Sequence, residues 1–358
     1  MTVTRLATAG DVVDLDRLLA GGSGSGGPAR ALARPDARVL VAGDDVIVGA
    51  AVLTPPVLDD DVAVLVALAG EEQDALVAAA ARHAGDLGWL SVRDPSGAIV
   101  DVPPPGDSLP ERFLRLAARA ATLAAVAVGS AAGVGPVARK SDGSVLIEAD
   151  AAADAVATEV LSALGATMLS EEHDDPDLDD PGDPWIVVDP LDGTGNFLAG
   201  LPPWAFSAGL VAGGRALAGY VCDLSSGRRW WGAVDHGAFR DGHSMVPRAG
   251  ATVVVPTPPA GGVASVPEGF RRLRITGCTA VDLCLVADGS AGAWHDLDRQ
   301  GTHVHDVAGA LGVLAAAGGV VRGPDGAPLP LMPDTEGLIR FAAAADETIA
   351  DALVAAHR

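Results

Sequence analysis

The chain has 358 residues, of which 49% are hydrophobic, so it is long enough for two domains and apolar enough for a substantial core. Acidic residues outnumber basic ones by 47 to 24, and the formal net charge is −23. A protein this negative repels polyphosphate backbones, which argues against nucleic acid as a partner. Its three cysteines form no Cys-x-x-Cys pair and predict reduced thiols in a cytoplasmic protein, without disulfides or a zinc site.

The sequence favours neither a signal peptide nor a membrane span. Charged residues such as Arg5, Asp11 and Arg17 interrupt the opening stretch. Residues 120–138 are uncharged, but they are mostly alanine and glycine and include few large apolar side chains. We therefore expect an Ala-rich packed helix here that enters a Gly-rich loop.

The first hundred residues predict a small α+β domain. Their patterning indicates, in chain order, a helix, a Gly/Ser loop, three strands, a second helix and a last strand, at residues 12–19, 21–27, 39–42, 46–53, 62–68, 71–84 and 89–92. The stretch 101–110 is rich in proline and predicts a linker. It separates a domain at 1–105 from a second domain at 110–358.

The order of these elements, with residues 5–11 and 49–52, resembles the first part of the Gcn5-related acetyltransferase fold. That family binds the pyrophosphate of acetyl-CoA with an Arg/Gln-x-x-Gly-x-Gly/Ala loop at a helix N-terminus. The corresponding stretch, residues 69–76, lacks those glycines and carries three acids. We expect residues 1–105 to form a non-catalytic accessory domain; an active acetyltransferase is the alternative.

Beyond the linker, the patterning alternates between helices and strands. Apolar residues at helical spacing begin after Pro110 and predict the first helix. The remaining elements are a helix at 151–164, strands at 185–188, 205–211, 216–223, 229–233 and 273–276, and helices at 280–287 and from Asp306 onwards. A loop rich in proline and glycine, residues 256–269, joins the two halves of this domain.

The most informative segment follows the apolar run 185–188 and contains Asp189, Leu191, Asp192, Gly193 and Thr194. A proline between the carboxylates restricts the backbone, and Gly193 permits a tight turn, so both carboxylates and the Leu191 carbonyl can converge on one point. Such hard oxygen ligands suit Mg²⁺. Thr194 then supplies a hydroxyl that can orient a water molecule. An acidic strand-to-loop turn without chemistry is the alternative.

Residues 189–197 resemble the Asp-Pro-(Ile/Leu)-Asp-Gly-Thr-x-Asn-Phe signature of the inositol monophosphatase family, the lithium-sensitive, magnesium-dependent phosphatases. Four further segments, in the same order as in that family, resemble its other motifs at 140–150, 169–172, 277–289 and 305–319. The resemblance covers residues 110–335. It implies an α/β fold with layered α-β-α-β-α architecture, following the N-terminal α+β domain.

The resemblance also implies a ligand set for two or three Mg²⁺ ions. The residues at the matching positions are Glu171, Asp189, the carbonyl of Leu191, Asp192 and Asp306, with Asp150 at a third, weaker ion. Bound cations neutralise the phosphate oxygens, activate a water and stabilise the leaving alkoxide.

Catalytic and substrate roles follow from the same motif positions. Thr194 would position the attacking water, and Asp150 or Glu171 would accept its proton. The amides of Gly193 and Thr194, beside Asp192, would bind phosphate oxygens. Asp296 would contact the polyol. We also expect a homodimer.

Several of these residues have simpler interpretations. Asp306 fits a helix N-cap, and Glu172 fits a solvated neighbour of the ligand Glu171. The acid-rich run at 174–183 indicates an exposed loop more than a calcium site. His303 and His305 lack further His or Cys at ligand spacing, so we predict surface or packing histidines.

Two residues depart from the family pattern. Ile147 stands where the family usually has Thr, and His305 where it usually has Trp. Neither change removes a principal carboxylate, so we predict an active cytoplasmic phosphatase for a small polyol or sugar monoester, inositol monophosphate first. The alternatives are another small ester (adenosine 3′,5′-bisphosphate, histidinol phosphate or a cyclitol phosphate) and a catalytically silent small-molecule sensor.

Overall fold

A computed structural model describes six strands before residue 102 and, beyond them, residues 108–131, 136–139, 145–172, 183–258, 262, 264, 266–297, 301–334 and 336–357. The chain divides into two compact units, Met1–Asp107 and Ser108–Arg358.

The first unit contains one six-stranded sheet in the order β1-β2-β3-β4-β5-β6. Neighbouring strands are antiparallel except β4 and β5, which are parallel. The strands are Thr4–Leu6, Arg38–Ala42, Gly49–Thr54, Val62–Gly70, Ser91–Arg93 and Ile99–Asp101. The four strands expected from the sequence correspond to β2–β5, although β3 begins at Gly49 instead of residue 46. The two helices expected at 12–19 and 71–84 lie outside the described residues, and the acetyltransferase-like accessory role stays a prediction.

The second unit is built on a seven-stranded sheet in the order β15-β14-β13-β12-β11-β10-β9. Only its β9–β10 pair is parallel. Its strands, in chain order, are Thr167–Ser170, Trp185–Asp192, Ala205–Ala212, Arg215–Asp223, Arg228–Ala233, Gly237–Arg240 and His243–Ser244. A separate hairpin, β7 (Pro136–Arg139) with β8 (Val145–Ile147), precedes it.

A smaller sheet of five strands has the order β17-β16-β18-β20-β19. These strands are β16 Thr252–Val254, β17 Arg272–Arg274, β18 Ala293–His295, β19 Val320–Arg322 and β20 Ala342–Ala344. Six helices belong to this unit within the described residues: α1 Leu109–Ser130, α2 Glu148–Leu161, α3 Thr194–Ala199, α4 Thr279–Ala287, α5 Val304–Ala317 and α6 Glu347–Ala356.

Three apolar cores stack these elements into layers. Alternate residues of β10 point to opposite faces, as strand geometry requires. Ile186 and Val188 join a core with α1 and α2, whereas Trp185 and Val187 join a core with α4 and α5. That second core also includes Phe341 beside the small sheet, and the third core lies between the small sheet and α6. The α-β-α-β-α layering implied by the resemblance is therefore present in this unit.

Helix α1 begins where its sequence provides a complete cap. The Ser108 hydroxyl accepts from the Glu111 amide at 3.4 Å, while the Glu111 carboxylate accepts from the Ser108 amide at 3.2 Å. Pro110 stands in the first turn, where its missing N–H costs nothing. By length and composition α1 could also span a membrane, but its buried face, which includes Phe113, packs in the core with the large sheet.

Helix α5 approaches the large sheet unusually closely because small residues face each other there. A Cβ added to Gly209 would stand 2.7 Å from the Ala308 carbonyl carbon, and one added to Gly219 would overlap the Gly309 carbonyl oxygen. Gly312 meets the backbone of Ala218 in the same way. This contact fixes the distance between α5 and the sheet. It thereby brings Asp306 to the edge where β9 and β10 end.

Three boundaries near the site differ from the expectations. Helix α2 begins at Glu148 instead of residue 151, and α5 begins at Val304 instead of Asp306. In each case an aspartate of the first turn accepts a backbone N–H from the residue before the helix. Strand β10 continues to Asp192 instead of ending at Val188, with a register shift between Asp189 and Asp192. Hydrophobic patterning missed these residues because polar side chains interrupt the first turn of each helix and the end of the strand.

Candidate metal centre and active site

Two parallel strands bring Glu171 and Asp189 to the same edge of the large sheet. Ser170, the last residue of β9, is paired with Val188 of β10. The residues that follow these two, Glu171 and Asp189, are therefore neighbours as well. The Glu171 amide donates to the Val188 carbonyl at 3.2 Å, which continues the pairing by one residue. Parallel pairing thus places two acids side by side.

The irregular end of β10 turns Asp192 towards the same region. The Leu191 amide donates to Asp189 Oδ1 at 3.0 Å, which tightens the backbone between the two aspartates. Asp192 Oδ2 accepts from the Ala280 amide of α4 at 2.7 Å and lies 3.1 Å from Cys278 Sγ. The side chain of Asp192 is therefore held from the opposite wall of the site.

Helix α5 supplies the fourth acid. Asp306 Oδ2 accepts from the Thr302 hydroxyl at 2.8 Å and from the His303 amide at 3.1 Å. Asp306 is therefore not the N-cap of α5, which is His303, but the third residue of the helix; its contact with the N-cap amide occupies only one carboxylate oxygen. The other oxygen, Oδ1, lies 3.8 Å from Nε2 of the buried His305.

The acids converge closely enough to share cations. One carboxylate oxygen from each of Asp189, Asp192 and Asp306 lies within 4.8 Å of the others. Within the described part of the chain no donor reaches Asp189 Oδ2, although it is buried. Uncompensated buried carboxylates are costly, and hard divalent cations prefer such oxygen sets. The residues present therefore fit a metal centre.

The acids also raise one another's pKa. Burial, followed by the charges of Glu171, Asp192 and Asp306, holds the pKa of Asp189 well above its ordinary value. Burial, followed by the charge of Asp306, raises the pKa of Asp192 to about 8. Burial and the charge of Asp192 likewise hold the pKa of Cys278 well above its ordinary value, so that side chain stays a thiol. Clustered anions with raised pKa values are typical of functional sites, and a bound cation would reverse the shifts.

Thr194 links the acid cluster to helix α2. Its hydroxyl lies 3.1 Å from the Leu191 carbonyl oxygen and 3.3 Å from Asp150 Oδ1. Asp150 is buried, and its other oxygen accepts from the Ile147 amide at 3.0 Å. The structure therefore brings together the hydroxyl and the carboxylate that were assigned to water activation.

A glycine turn sets the position of Thr194. Gly193 has a φ of +89°, the left-handed conformation that glycine adopts without strain, and α3 begins at the next residue. Asn196 donates to the carbonyls of Pro203 and Thr276, each at 2.8 Å, which ties α3 to the segment before α4. The amides at this turn, those of the half-buried Gly193 and Thr194, are the ones that the sequence assigned to phosphate oxygens.

The two departures from the family pattern are both buried at the site. Ile147 occupies the N-cap of α2, where its side chain offers no hydrogen-bond acceptor. His305 stacks on His303, with ring centroids 5.0 Å apart and an interplanar angle of 9°. The two rings therefore pack on each other, and the expectation that they bind no zinc stays a prediction.

Other expected residues are placed as follows. Asp296 follows β18 and is almost wholly buried. Its assignment as a polyol contact stays a prediction. Glu172 is half-buried beside Glu171, instead of solvated. Lys140 and most of the acidic run at 174–183 lie outside the described residues. Sequence reasoning missed Cys278 and Thr302, which hold ligands from other segments; only their positions beside the matched motifs could have indicated them.

The chain matches a known protein family. The model of the Inositol monophosphatase family matches residues 109–358. Among curated proteins, "Fructose-1,6-bisphosphatase/inositol-1-monophosphatase" of Archaeoglobus fulgidus is 30% identical over 52% of this chain and 73% of its own length. "Inositol-1-monophosphatase ImpA" of Mycolicibacterium smegmatis is 30% identical over 62% of this chain and 87% of its own length.

Solved structures show the same fold. Thermotoga maritima IMPase aligns with a TM-score of 0.57 and 20% identity, over 67% of this chain and 94% of its own. An inositol monophosphatase-fructose 1,6-bisphosphatase aligns with a TM-score of 0.58 and 20% identity, over 68% of this chain and 98% of its own. With the family match and the acidic metal site, they identify this chain as a phosphoric monoester hydrolase that belongs to the inositol monophosphatase family.

Proposed function

We propose that the second unit hydrolyses small polyol or sugar phosphate monoesters in the cytoplasm with two or three Mg²⁺ ions. Inositol monophosphate is the preferred substrate in this proposal. The observation that carries the proposal is the convergence of Asp189, Asp192 and Asp306 within 4.8 Å, beside Glu171. Four acids around one small volume create a strong negative field, which bound cations would neutralise. The names of the curated relatives support the substrate class.

The ligands would divide between neighbouring ion positions. Glu171, Asp189, the Leu191 carbonyl, Asp192 and Asp306 would hold two ions, and Asp150 a weaker third. Bound there, the ions would supply charge neutralisation of the phosphate and an acidified water.

The chain's own groups then direct the water and the ester. The Thr194 hydroxyl, within hydrogen-bond distance of Asp150, orients a water towards phosphorus. A carboxylate, Asp150 or Glu171, accepts the proton that the water loses. The amides of Gly193 and Thr194 hold phosphate oxygens at the start of α3, and Asp296 would contact the alcohol part.

Two features bear on the choice of ester. Gly195, Asn196 and Phe197 match the inositol phosphatase form of the motif, whereas adenosine bisphosphate phosphatases more often have Lys-Glu-Phe there. Fructose 1,6-bisphosphate is the second candidate, because three archaeal relatives of about 30% identity carry both activities in their names. Both esters place a phosphate on a polyhydroxylated ring or chain.

A substrate panel tests the choice. Phosphate release would be measured with Mg²⁺ from inositol 1-phosphate, fructose 1,6-bisphosphate, adenosine 3′,5′-bisphosphate and histidinol phosphate. We expect the highest kcat/KM for inositol 1-phosphate, with fructose 1,6-bisphosphate next. Preference for either of the last two esters would overturn the proposed substrate class.

A further inference from the structure

Asp192 is the only one of the three clustered aspartates in this metal centre that is held by a sulfur atom within the described residues. Cys278 is the residue before α4, and its Sγ lies 3.1 Å from Asp192 Oδ2. The Ala280 amide donates to the same oxygen at 2.7 Å. Asp192 Oδ1 has no such protein donor in the described part of the chain, so it is the oxygen left for a cation.

The surroundings of Cys278 leave its side chain little freedom. The residue is 1% exposed. A Cβ added to Gly193 would lie 3.3 Å from Cys278 Cβ, so the side chain fills the space between the end of β10 and the start of α4. The backbone amide of Cys278 lies 3.3 Å from the Thr276 hydroxyl, which in turn donates to the buried Asp282 at 2.6 Å.

We infer that Cys278 is a positioning residue for the metal ligand Asp192. When Asp192 is bound to a cation it is an anion and accepts, so the thiol S–H is the donor. Together with the Ala280 amide it fixes Oδ2 and thereby aims Oδ1 at the cation. The inference rests on the proposed metal-dependent function, because it concerns how this chain holds a ligand of that metal.

Thr302 gives the same arrangement on the other side of the centre. Its hydroxyl and the His303 amide both bind Oδ2 of Asp306, as a side chain and an amide bind Oδ2 of Asp192. Outer hydrogen bonds of this kind fix a ligand's orientation, and their loss commonly weakens metal affinity by roughly 10–100-fold. A thiol is a weaker donor than a hydroxyl, so serine can replace it in this role.

The test compares Mg²⁺ binding by calorimetry for the full chain and the variants Cys278→Ala and Cys278→Ser. We expect Cys278→Ala to weaken Mg²⁺ binding about tenfold, the lower end of the range because the Ala280 amide remains. Cys278→Ser should bind Mg²⁺ as tightly as the parent protein or more tightly. In turnover, Cys278→Ala should need more Mg²⁺ for half-maximal rate while kcat at saturating Mg²⁺ changes little.

Cys284→Ala is the matched control. Cys284 is equally buried in α4, but within the described residues no hydrogen bond links it to an acid of the centre. Its removal should lower the midpoint of thermal unfolding without changing Mg²⁺ affinity. Equal Mg²⁺ affinity in Cys278→Ala and the parent protein, or an equal loss in Cys278→Ser, would overturn the inference. Absence of Mg²⁺ binding by the parent protein would instead refute the proposed function.

Discussion

In each of the three clustered aspartates, the two carboxylate oxygens have different roles. One oxygen accepts backbone or side-chain donors: Oδ1 of Asp189 and Oδ2 of both Asp192 and Asp306. The second oxygen is thereby kept at a fixed angle to the centre. Donors to the first oxygen favour the charged carboxylate, whereas burial and the neighbouring acids oppose it.

Thr194→Val should abolish most of the catalytic rate while leaving metal binding intact. The change removes the hydroxyl that lies between Asp150 and the Leu191 carbonyl, at almost the same side-chain volume. We expect kcat to fall about 10²–10⁴-fold, the usual contribution of positioned proton-transfer groups. Thr194→Ser keeps the hydroxyl and serves as the control. Turnover by Thr194→Val close to that of the parent protein would remove the hydroxyl from the mechanism.

Ile147→Thr should lower the Mg²⁺ requirement. Asp150 already accepts from the amide of residue 147, so a threonine hydroxyl there would complete a reciprocal cap. The cap should contribute about 1 kcal/mol to stability, but Ile147 is wholly buried, so the loss of its apolar atoms should offset that gain. The cap should also order Asp150 and so reduce the Mg²⁺ concentration for half-maximal activity, with substrate preference unchanged. An unchanged Mg²⁺ dependence would contradict this account of Ile147.

At the scale of single residues, the sequence predicted the acids of the centre better than the hydrogen-bond donors that hold them. The motif positions led to Asp189, Asp192 and Asp306, which the structure brings together. The donors could not be predicted, because Ala280, Cys278 and Thr302 reach the acids only after two sheets and two helices have packed. A donor 86 residues away along the chain, such as Cys278 from Asp192, has no local signal.

At the scale of elements, the close contact of α5 with β11 and β12 determines where Asp306 stands. Gly219→Ala would place a methyl group on the Gly309 carbonyl oxygen. We expect the helix to shift and the free energy of unfolding to fall by about 1–3 kcal/mol, as in other overpacked interiors. Mg²⁺ affinity should fall with it, because Asp306 moves with α5. Chemical denaturation and calorimetry would measure both quantities.

Gly129→Ala is the matched control for that substitution. Gly129 lies in α1, is exposed, and has no atom within 4 Å of an added Cβ. Alanine should stabilise the helix by about 0.5–1 kcal/mol and leave Mg²⁺ affinity unchanged. Equal effects of Gly219→Ala and Gly129→Ala would show that the close approach of α5 is not what places Asp306.

Most elements of the second unit could be predicted because their apolar residues follow the period of a strand or a helix. Strands β11, β12 and β13 and helix α4 agree with the expected spans to within one residue at each end. The order of strands in the two sheets could not be derived from patterning, because the small sheet joins segments far apart in the chain. Its β16 pairs in parallel with both β17 and β18.

At the scale of the whole molecule, the clustered acids make the free energy of unfolding depend on pH when no metal is bound. The folded pKa of Asp192 is about 8, above its ordinary value of 3.8, so the folded state holds a proton that the unfolded state has lost between those values. Stability should therefore fall as pH rises from about 4 to about 8. Mg²⁺ binds the anionic form, so it should raise the unfolding midpoint more at pH 8 than at pH 5. Thermal unfolding with Mg²⁺ and with a chelator measures this; a Mg²⁺ effect independent of pH would contradict it.

Deletion of residues 1–105 should leave phosphate release intact. Every acid assigned to the centre lies in the unit Ser108–Arg358, which has three apolar cores of its own. The truncated protein should fold and keep the kcat/KM of the full chain. A folded truncation without activity would show that the first unit shapes the site or an oligomer.

The central claim is that the acids at the end of β10 bind Mg²⁺ and that this binding drives phosphoester hydrolysis. The most direct test is Asp192→Asn, assayed for Mg²⁺ binding by calorimetry and for phosphate release from inositol 1-phosphate. The amide keeps the side-chain volume and an oxygen for the Ala280 amide, but it loses the charge. We predict a folded variant with strongly weakened Mg²⁺ binding and no measurable turnover. Near-normal Mg²⁺-dependent turnover by Asp192→Asn would contradict the claim.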